Sequence, residues 1–358
     1  MIAAVVLIAF GFSAIFSVEL SRGVDDVFLQ KQAIALGIGI VACVIVAAMN
    51  YHALRHYARG LYAVGVLMLC LVFVLGRTLN GSTGWFVLGG FAFQPVEVMK
   101  VAVMIILALY FSERAKRRFG WKDFFVSGGL VALPVALLMF QPDLGGAALL
   151  VGTWIVMMVF AGIRPTQIGA LCAGTILVVI VGWFFVFKPH QKDRILTFFD
   201  PSLDPLVTGY NVIQAKIAIG SGGLWGRGLG DGSQSQLRFL PQSQTDFVFA
   251  VIAEELGFIG VLLLFLAFMM LLWRMLVLSR MARDTFGAYL CIGTFSLLLV
   301  EITVHIGANL SLMPATGVAL PFVSYGGSSL LLSLVLLGVV QSVAVRLRPG
   351  DRFYDIAL

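Results

Sequence analysis

Long apolar runs separated by short polar segments dominate the pattern of this 358-residue chain. The runs are continuous rather than alternating, which is typical of membrane-spanning helices and not of barrel strands. Because a helix crosses the hydrocarbon core in about 20 residues, the pattern predicts ten spans. The spans are residues 1–20, 33–50, 60–76, 95–112, 125–140, 144–162, 166–187, 246–273, 285–308 and 326–345. The predicted fold class is an all-α polytopic membrane protein, a helix bundle with residues 1–358 in a single integral membrane domain.

Two of these spans depart from the simple pattern. The fifth is short, contains Pro134 and stops at Gln141, directly ahead of a second proline. Proline inside a helix removes a hydrogen bond and clashes with the preceding turn, so we predict that the fifth and sixth spans form a bent or re-entrant pair. The first run has no basic leader and no clear cleavage site after Met1, and we expect a spanning helix there rather than a signal peptide.

The composition supports a membrane chain and excludes several other classes. Hydrophobic residues make up 60% of the chain and charged residues only 12%, whereas soluble domains carry about 25% charged residues. The four cysteines lie inside apolar runs without metal-binding spacing, and the four histidines are scattered, so we expect no His/Cys metal site. The net charge of +6 gives no indication of a nucleic-acid partner.

Basic residues in the short loops predict the orientation. One side of the membrane collects 14 of them and the other side three. The first set is Arg55, Arg59, Arg114, Lys116, Arg117, Arg118, Lys122, Arg164, Arg274, Arg280, Arg283, Arg346, Arg348 and Arg352, and the second is Arg22, Lys31 and Arg77. The positive-inside rule makes the first side cytoplasmic, with both chain termini there. A large loop between spans seven and eight, residues 188–243, is then extracytoplasmic.

Acidic residues cluster in the stretch LPQSQTDFVFAVIAEELG, residues 240–257. Asp246 lies at the start of the eighth span, and Glu254 and Glu255 lie deeper in it. A carboxylate at a helix start can simply cap the helix and complement its dipole, and the two glutamates can serve helix–helix contacts. Acids within a span are nevertheless costly and by default mark functional or paired sites, so both interpretations stay open.

Other polar and aromatic groups would face the outer side. Glu97 and Lys100 are one helical turn apart and can pair, either as a structural ion pair or as a patch in which Lys100 holds an anionic group. Trp85 suits an interfacial belt or a platform for a sugar or lipid. The glycine-rich residues 220–230 suit a flexible loop or a phosphate cradle. The pattern fits a lipid-linked anionic substrate but does not name the chemistry.

Six segments together resemble the signature blocks of the SEDS family (shape, elongation, division and sporulation), and most of all its rod-shape branch, RodA. They occur in the family's order and cover the chain from about residue 75 to residue 345. The segments are QPVEVMK (94–100), QPDLGGA (141–147), DRILTFFDP (193–201), GSGGLWGRGLG (220–230), QTDFVFAVIAEELG (244–257) and NLSLMPATGVALPFVSYGGSS (309–329).

The resemblance implies a peptidoglycan glycosyltransferase of the bacterial cytoplasmic membrane. Such an enzyme polymerises lipid II into glycan strands on the extracytoplasmic side during cell elongation, with a class B penicillin-binding protein, a transpeptidase, as partner. By position, Asp246 matches the essential acid of the family. Trp85, Gln94, Glu97 and Lys100 match expected substrate-binding positions.

This chain departs from the family pattern at three positions. Gln244 stands where the family often has His, Val96 replaces the usual Ser, and Gly84 replaces a common Arg before the tryptophan. None of these changes removes the carboxylate, although the missing Arg removes a candidate pyrophosphate contact. The residues expected to support the site are Glu254, Glu255 and Ser324.

The resemblance leads to a mechanistic hypothesis, an inverting transfer with Asp246 as general base and undecaprenyl pyrophosphate as leaving group. Lys100, oriented by Glu97, would stabilise the leaving anion together with Arg194 or a divalent cation; no cofactor is certain. The expected partners are lipid II, undecaprenyl-linked glycan and membrane lipids, with no nucleic acid. A lipid II flippase and a non-catalytic scaffold for the penicillin-binding protein are the alternatives.

Overall fold

The computed structural model describes residues 1–22, 27–79, 82–88, 91–115, 117, 119–185, 192, 196–198, 208–237, 239–240, 242–314 and 316–347. Among these residues, ten helices are long and apolar enough to cross a membrane. The helices are α1 (Ile2–Arg22), α2 (Val27–Ala48), α3 (His52–Leu75), α4 (Pro95–Ser112), α5 (Trp121–Phe140), α6 (Leu144–Ala161), α7 (Pro165–Phe185), the shorter α8 (Thr208–Ser221) and α9 (Ser233–Gln236), then α10 (Val248–Met281), α11 (Thr285–Asn309) and α12 (Gly327–Val345). The predicted number of spans and the helical fold class are therefore confirmed, and the chain is a multi-pass membrane protein.

The helix ends differ from the prediction where polar residues continue a helix. The second helix begins at Val27 rather than residue 33, the third begins at His52 rather than residue 60, and α10 continues to Met281. The extra turns carry basic and amide side chains, which the pattern assigned to loops. Long polar side chains can extend from a helix end toward water, so polarity alone does not end a helix.

Pro134 lies inside α5, which remains one continuous helix of 20 residues. Proline has no backbone N–H, so the carbonyl of Leu130, one turn earlier, loses its helical partner. The Tyr62 hydroxyl donates a hydrogen bond to that carbonyl at 2.7 Å. Such a replacement donor allows proline within a membrane helix. The expectation that Pro134 breaks a short fifth span is therefore wrong, and a continuous α5 of spanning length does not support a re-entrant pair; a bend between the fifth and sixth spans stays a prediction.

Residues 77–94, predicted as a loop, contain three short antiparallel strands. They are β1 (Arg77–Leu79), β2 (Ser82–Leu88) and β3 (Phe91–Phe93), in the order β1-β2-β3. Arg77 pairs with Trp85, and Phe86 pairs with Phe93. Aromatic and β-branched residues favour strands, and a Gly-Gly dipeptide between two such runs is a hairpin signal. The sequence therefore contained a hairpin signal that the loop prediction for residues 77–94 did not take into account.

The described part of the large loop contains α8 and α9. Tyr210 and Ile219 both lie within α8. One side of α8 is buried through Val212, Ala215 and Ala218, whereas Ile213 and Ile217 on the other side are exposed. An exposed apolar side suits a helix that lies along a membrane surface.

The chain divides into two compact units whose segments alternate along the sequence. The first unit comprises Met1–Gly39, Lys188–Leu272 and Glu301–Ser333. The second comprises Ile40–Phe187, Trp273–Val300 and Leu334–Leu358. The single integral domain stays a prediction.

Helix α4 forms the core of the second unit. Residues Pro95 to Phe111 are almost all buried, and the helix packs against α3, α5 and α6. A helix that is apolar on every side is typical of such a core position. Close packing is visible where Gly65 of α3 faces Met99, because a Cβ at Gly65 would lie 2.7 Å from the Met99 sulfur. The first turn of α4 is thereby held rigidly within its unit.

Helix α10 in the first unit is interrupted at Gly257, whose φ of 65° and ψ of −164° are not helical. Residues 222–228 of the large loop insert their backbone at this interruption, which supplies partners for the freed N–H and carbonyl groups. The hydrogen bonds run from Phe258 N–H to Gly223 O (2.9 Å), Ile259 N–H to Leu224 O (3.2 Å), Arg227 N–H to Glu254 O (3.0 Å) and Gly228 N–H to Glu255 O (3.0 Å).

The glycines of this loop permit the close backbone approach. A Cβ at Gly222 would lie 1.9 Å from the carbonyl oxygen of Ala253, and one at Gly226 would lie 2.1 Å from that of Glu255. Gly226 also has a φ of +82°, which side chains disfavour. The glycine run therefore fits the loop against α10, and the N–H groups of Arg227 and Gly228 are already used within the fold. This contradicts the phosphate-cradle interpretation for those N–H groups.

Candidate functional site

Asp246 lies in the turn that precedes α10 in the first unit. We call residues 242–247 the acid loop. The Asp246 N–H donates to the carbonyl of Gln242 at 3.2 Å, which closes the turn. The next residues, Phe247 and Val248, are buried, whereas Asp246 itself is only partly buried. The start of an apolar helix thus holds a carboxylate at a partly accessible position, as the sequence pattern predicted.

The main chain of the acid loop is fixed by three consecutive carbonyl groups, residues 244–246, which accept hydrogen bonds from segment 309–325. The donors are Tyr325 N–H to Gln244 O (2.8 Å), the Ser324 hydroxyl to Thr245 O (2.8 Å) and the Asn309 amide to Asp246 O (2.9 Å). The Ser324 hydroxyl also accepts the N–H of Leu320 at 2.8 Å. Ser324 was predicted as a supporting residue, and the structure places it in contact with the residue before Asp246.

The Asp246 carboxylate lies against the backbone of Gly317. A Cβ at Gly317 would lie 3.6 Å from the Asp246 Oδ2 atom. Gly317 has a φ of +70°, in the left-handed region that favours glycine. The same segment that fixes the main chain of the acid loop therefore also provides the surface under the carboxylate.

The two glutamates of α10 hold other parts of the first unit together. Glu254 is fully buried and accepts the backbone N–H groups of Gln234 at 2.8 Å and Ser235 at 3.2 Å. Glu255 accepts the hydroxyls of Ser17 and of Ser235, the latter at 3.3 Å. Buried carboxylates need such donors. These contacts tie α1 and α9 to α10 and give both glutamates a structural role.

Trp85 and Gln94 lie at the strands and at the start of α4 in the second unit. Trp85 is on β2, which contacts α3 and α4, and it is partly buried. Gln94 immediately precedes α4, and its carbonyl accepts the Glu97 N–H at 3.0 Å. Pro95 occupies the first helical position, where its missing N–H costs nothing. This local sequence fixes the direction in which the first turn of α4 begins.

Glu97 and Lys100 form the ion pair that their spacing predicted. The Lys100 Nζ atom lies 2.8 Å from the Glu97 Oε2 atom. Lys100 is 4% exposed and Glu97 is 8% exposed. Removing one member of such a pair would leave an uncompensated buried charge. The pair is therefore fixed as a unit in the first turn of α4.

The predicted site residues divide between the two units. Asp246, Glu254, Glu255 and Ser324 belong to the first unit, and Trp85, Gln94, Glu97 and Lys100 belong to the second. Arg194 lies outside the described residues. Over the described part of the chain, no group of three or more His, Cys, Asp or Glu residues could hold a metal ion, so no chemical step is assigned to one.

Two residues beside Asp246 were missed by the sequence analysis. His305 and Asn309 both lie on α11, and both hydrogen-bond within the segment around the acid loop. Together with Glu301 they form a series of larger polar residues at four-residue spacing in a mainly apolar span. This spacing places all three on one helix face. Polar residues within a span by default mark functional or paired sites. The four-residue spacing of these side chains was therefore a signal that the sequence already contained.

The fold and the fixed carboxylate define a polytopic membrane protein with an acidic site at the start of a spanning helix. A family model described as "Cell cycle protein", covering the FtsW, RodA and SpoVE proteins, matches residues 1–348. The chain belongs to this family, which confirms the predicted resemblance.

Individual relatives agree over most of their length. The chain is 38% identical over 321 residues to Stage V sporulation protein E of Bacillus subtilis (strain 168), covering 88% of this chain and 87% of that protein. It is 35% identical over 323 residues to the peptidoglycan glycosyltransferase MrdB of Escherichia coli (strain K12), covering 90% and 87%. The predicted likeness to RodA is confirmed by the crystal structure of Thermus thermophilus RodA, which matches with a TM-score of 0.71 and 30% identity and covers 99% of this chain and 96% of that chain.

A solved structure shares the fold. It shows a peptidoglycan synthase complex that coordinates polymerization and crosslinking, and one of its chains matches with a TM-score of 0.79 and 31% identity. The match covers 96% of this chain and 95% of that chain. The predicted enzyme class is the activity named for MrdB.

Proposed function

We propose that this chain is a peptidoglycan glycosyltransferase that polymerises lipid II at the outer face of the bacterial cytoplasmic membrane. Membership of the family and the activity named for MrdB support the reaction class. The observation that carries the mechanism is the position of Asp246, a partly buried acid in a loop whose main chain accepts three hydrogen bonds from segment 309–325. The extracytoplasmic location of the site follows from the distribution of basic residues in the loops.

The reaction is an inverting transfer. A sugar hydroxyl of incoming lipid II forms a new bond to the anomeric carbon of the growing glycan, and the bond from that carbon to undecaprenyl pyrophosphate breaks. The hydroxyl proton moves to the Asp246 carboxylate, which acts as general base. Undecaprenyl pyrophosphate leaves as an anion. The reaction therefore does not require the second carboxylic acid of a glycosidase pair, which protonates the leaving group.

A fixed main chain suits a general base. A base contributes about 10²–10⁴ in rate when it is held within hydrogen-bonding reach of the proton that it removes. The three hydrogen bonds to the acid loop fix the point from which the Asp246 side chain extends. Its partial exposure leaves the carboxylate accessible to a substrate from outside the fold.

The residues of the second unit receive substrate-binding roles through the family resemblance. The Lys100 ammonium supplies positive charge for an anionic group, and Glu97 orients it through their 2.8 Å contact. Trp85 offers an aromatic face to a sugar, and Gln94 offers an amide. Arg194 keeps its predicted role with the leaving group.

A class B penicillin-binding protein is the proposed partner. The similar chain in the solved structure belongs to a peptidoglycan synthase complex that coordinates polymerization and crosslinking. A polymerase that supplies new strands to a transpeptidase in the same complex fits that description. Lipid II, undecaprenyl-linked glycan and membrane lipids complete the proposed partners.

Purified full-length protein in liposomes, with labelled lipid II and with or without the transpeptidase, tests the reaction class. Glycan strands longer than the substrate, resolved on a gel, are expected from wild-type protein in the presence of the partner. Movement of labelled lipid II across the bilayer without any strand formation would instead establish a flippase. Strand formation that requires the transpeptidase but not Asp246 would reduce this chain to a scaffold.

A further inference from the structure

The end of helix α11 carries two buried polar residues to which the proposed mechanism gives no role. His305 and Asn309 lie four residues apart and share one face of the helix. Their exposed fractions are 1% and 0%. Polar residues inside a spanning helix are costly and by default have functional or paired roles. Both side chains hydrogen-bond to the backbone that surrounds Asp246.

Asn309 contacts Asp246 directly. Its side-chain amide donates to the Asp246 carbonyl at 2.9 Å and to the His305 carbonyl at 2.9 Å. Tyr325 and Ser324 bind the two preceding carbonyls of the acid loop. Because the Asn309 bond is made to the residue that carries the carboxylate, it restrains the backbone from which that side chain projects.

His305 contacts the segment on which the same carboxylate lies. Its Nδ1 atom lies 2.7 Å from the carbonyl oxygen of Val318. A carbonyl can only accept, so Nδ1 carries the proton in this contact. Gly317, the preceding residue, supplies the backbone against which the Asp246 carboxylate lies. His305 therefore restrains the surface under the carboxylate, while Asn309 restrains its main chain.

A contribution to stability alone does not explain why histidine and asparagine occupy these two buried positions. Among the described residues, the His305 Nε2 and Asn309 Oδ1 atoms are buried and have no hydrogen-bond partner. An unpaired buried acceptor costs about 1–3 kcal/mol, which offsets much of what the paired donor contributes. An apolar side chain would remove this cost but would leave the paired backbone carbonyl without its donor. The net stability that each residue adds is therefore small, about 1 kcal/mol.

We propose that His305 and Asn309 are positioning residues that orient the Asp246 carboxylate toward the sugar hydroxyl. This inference rests on the proposed function, because it assigns the two residues to the same proton transfer. Neither residue touches the substrate; each acts through the backbone that it holds. Displacing a reacting group by about 1 Å can lower a rate about 100-fold, so loss of either contact should affect turnover more than binding.

The test uses the full-length protein in liposomes with labelled lipid II and its transpeptidase. His305→Leu removes the imidazole donor at similar volume, and Asn309→Ala removes the amide donor without overpacking the buried site. His305→Asn places an amide N–H near the position of Nδ1–H, whereas His305→Gln places it near Nε2. The measured quantities are kcat, KM for lipid II, the pH dependence of kcat and the thermal midpoint Tm.

We expect His305→Leu and Asn309→Ala to lower kcat about 10- to 100-fold, with KM close to wild type and only a small decrease in Tm. His305→Asn should regain most of the lost kcat, and His305→Gln should not. The midpoint of the pH profile should not move in any His305 variant, because the base remains Asp246.

Four results would overturn the inference. Wild-type kcat in His305→Leu and Asn309→Ala, alongside an inactive Asp246→Asn, would leave the base assignment intact and remove the positioning role. A kcat loss in these variants that merely follows a lowered Tm, without recovery in His305→Asn, would make the role structural. A displaced pH midpoint would place His305 in the proton transfer itself. An active Asp246→Asn would instead refute the proposed mechanism and, with it, the positioning role.

Discussion

The two candidate regions hold their acids in different ways. Asp246 is fixed through its main chain and is partly exposed. Glu97 is fixed through its side chain, in a 2.8 Å contact with Lys100 that is almost fully buried. A base must receive a proton from a substrate, so its carboxylate needs access while its backbone needs rigidity. A buried ion pair instead holds a cation in one orientation, which suits binding of an anionic group.

The largest stability effect is expected from breaking the buried pair. Lys100→Met leaves the Glu97 carboxylate buried without its cation, which should destabilise the protein by about 3–5 kcal/mol. Thermal unfolding of the purified full-length protein in detergent measures the change. The double variant Lys100→Met, Glu97→Gln removes both charges and should regain much of the lost stability. A single variant as stable as wild type would contradict the coupling of the two charges.

The next effect concerns the loop inserted at the interruption of α10. Gly222→Ala places a Cβ 1.9 Å from the Ala253 carbonyl oxygen, and such overpacking costs about 1–3 kcal/mol. Gly220→Ala is the matched control, because its Cβ would meet nothing within 4 Å. We expect a lower Tm for the first variant and an unchanged or higher Tm for the second. Equal midpoints would argue against the close backbone contact.

The smallest effect is expected at the acid loop itself. Ser324→Ala removes the hydroxyl that bonds to Thr245 O and Leu320 N–H, which should cost about 1 kcal/mol. Polymerisation should also slow, because the acid loop gains freedom. Ser333→Ala is the control: this serine is similarly buried, but its hydroxyl donates to Ser329 O within α12. A rate loss common to both variants would contradict a specific role for Ser324.

The spans and the acid at Asp246 could be predicted from the sequence because both depend on local composition. Continuous apolar runs determine the number of membrane helices, and an acid beside such a run is rare enough to be noticed. Helix ends were less accessible, as α3 shows, because His52 and Arg55 continue a helix despite their polarity. The hairpin on which Trp85 lies had a usable signal in its aromatic residues and Gly-Gly dipeptide.

Long-range backbone contacts could not be predicted in the same way. Gly257 resembles any tolerated glycine in an apolar run, and its role depends on residues 222–228, some 30 positions earlier. The hydrogen bonds of Asn309 and His305 likewise join segments that only the tertiary structure brings together. Their four-residue spacing indicated a shared face, but not the carbonyl groups that this face would meet.

The central claim is that Asp246 removes the proton from the attacking sugar hydroxyl. The most direct measurement is the initial rate of glycan formation by Asp246→Asn, which keeps the shape of the side chain but removes its basicity. With Tm and lipid II binding matched to wild type, the rate should fall by about 10²–10⁴. A rate within a few-fold of wild type would contradict the assignment.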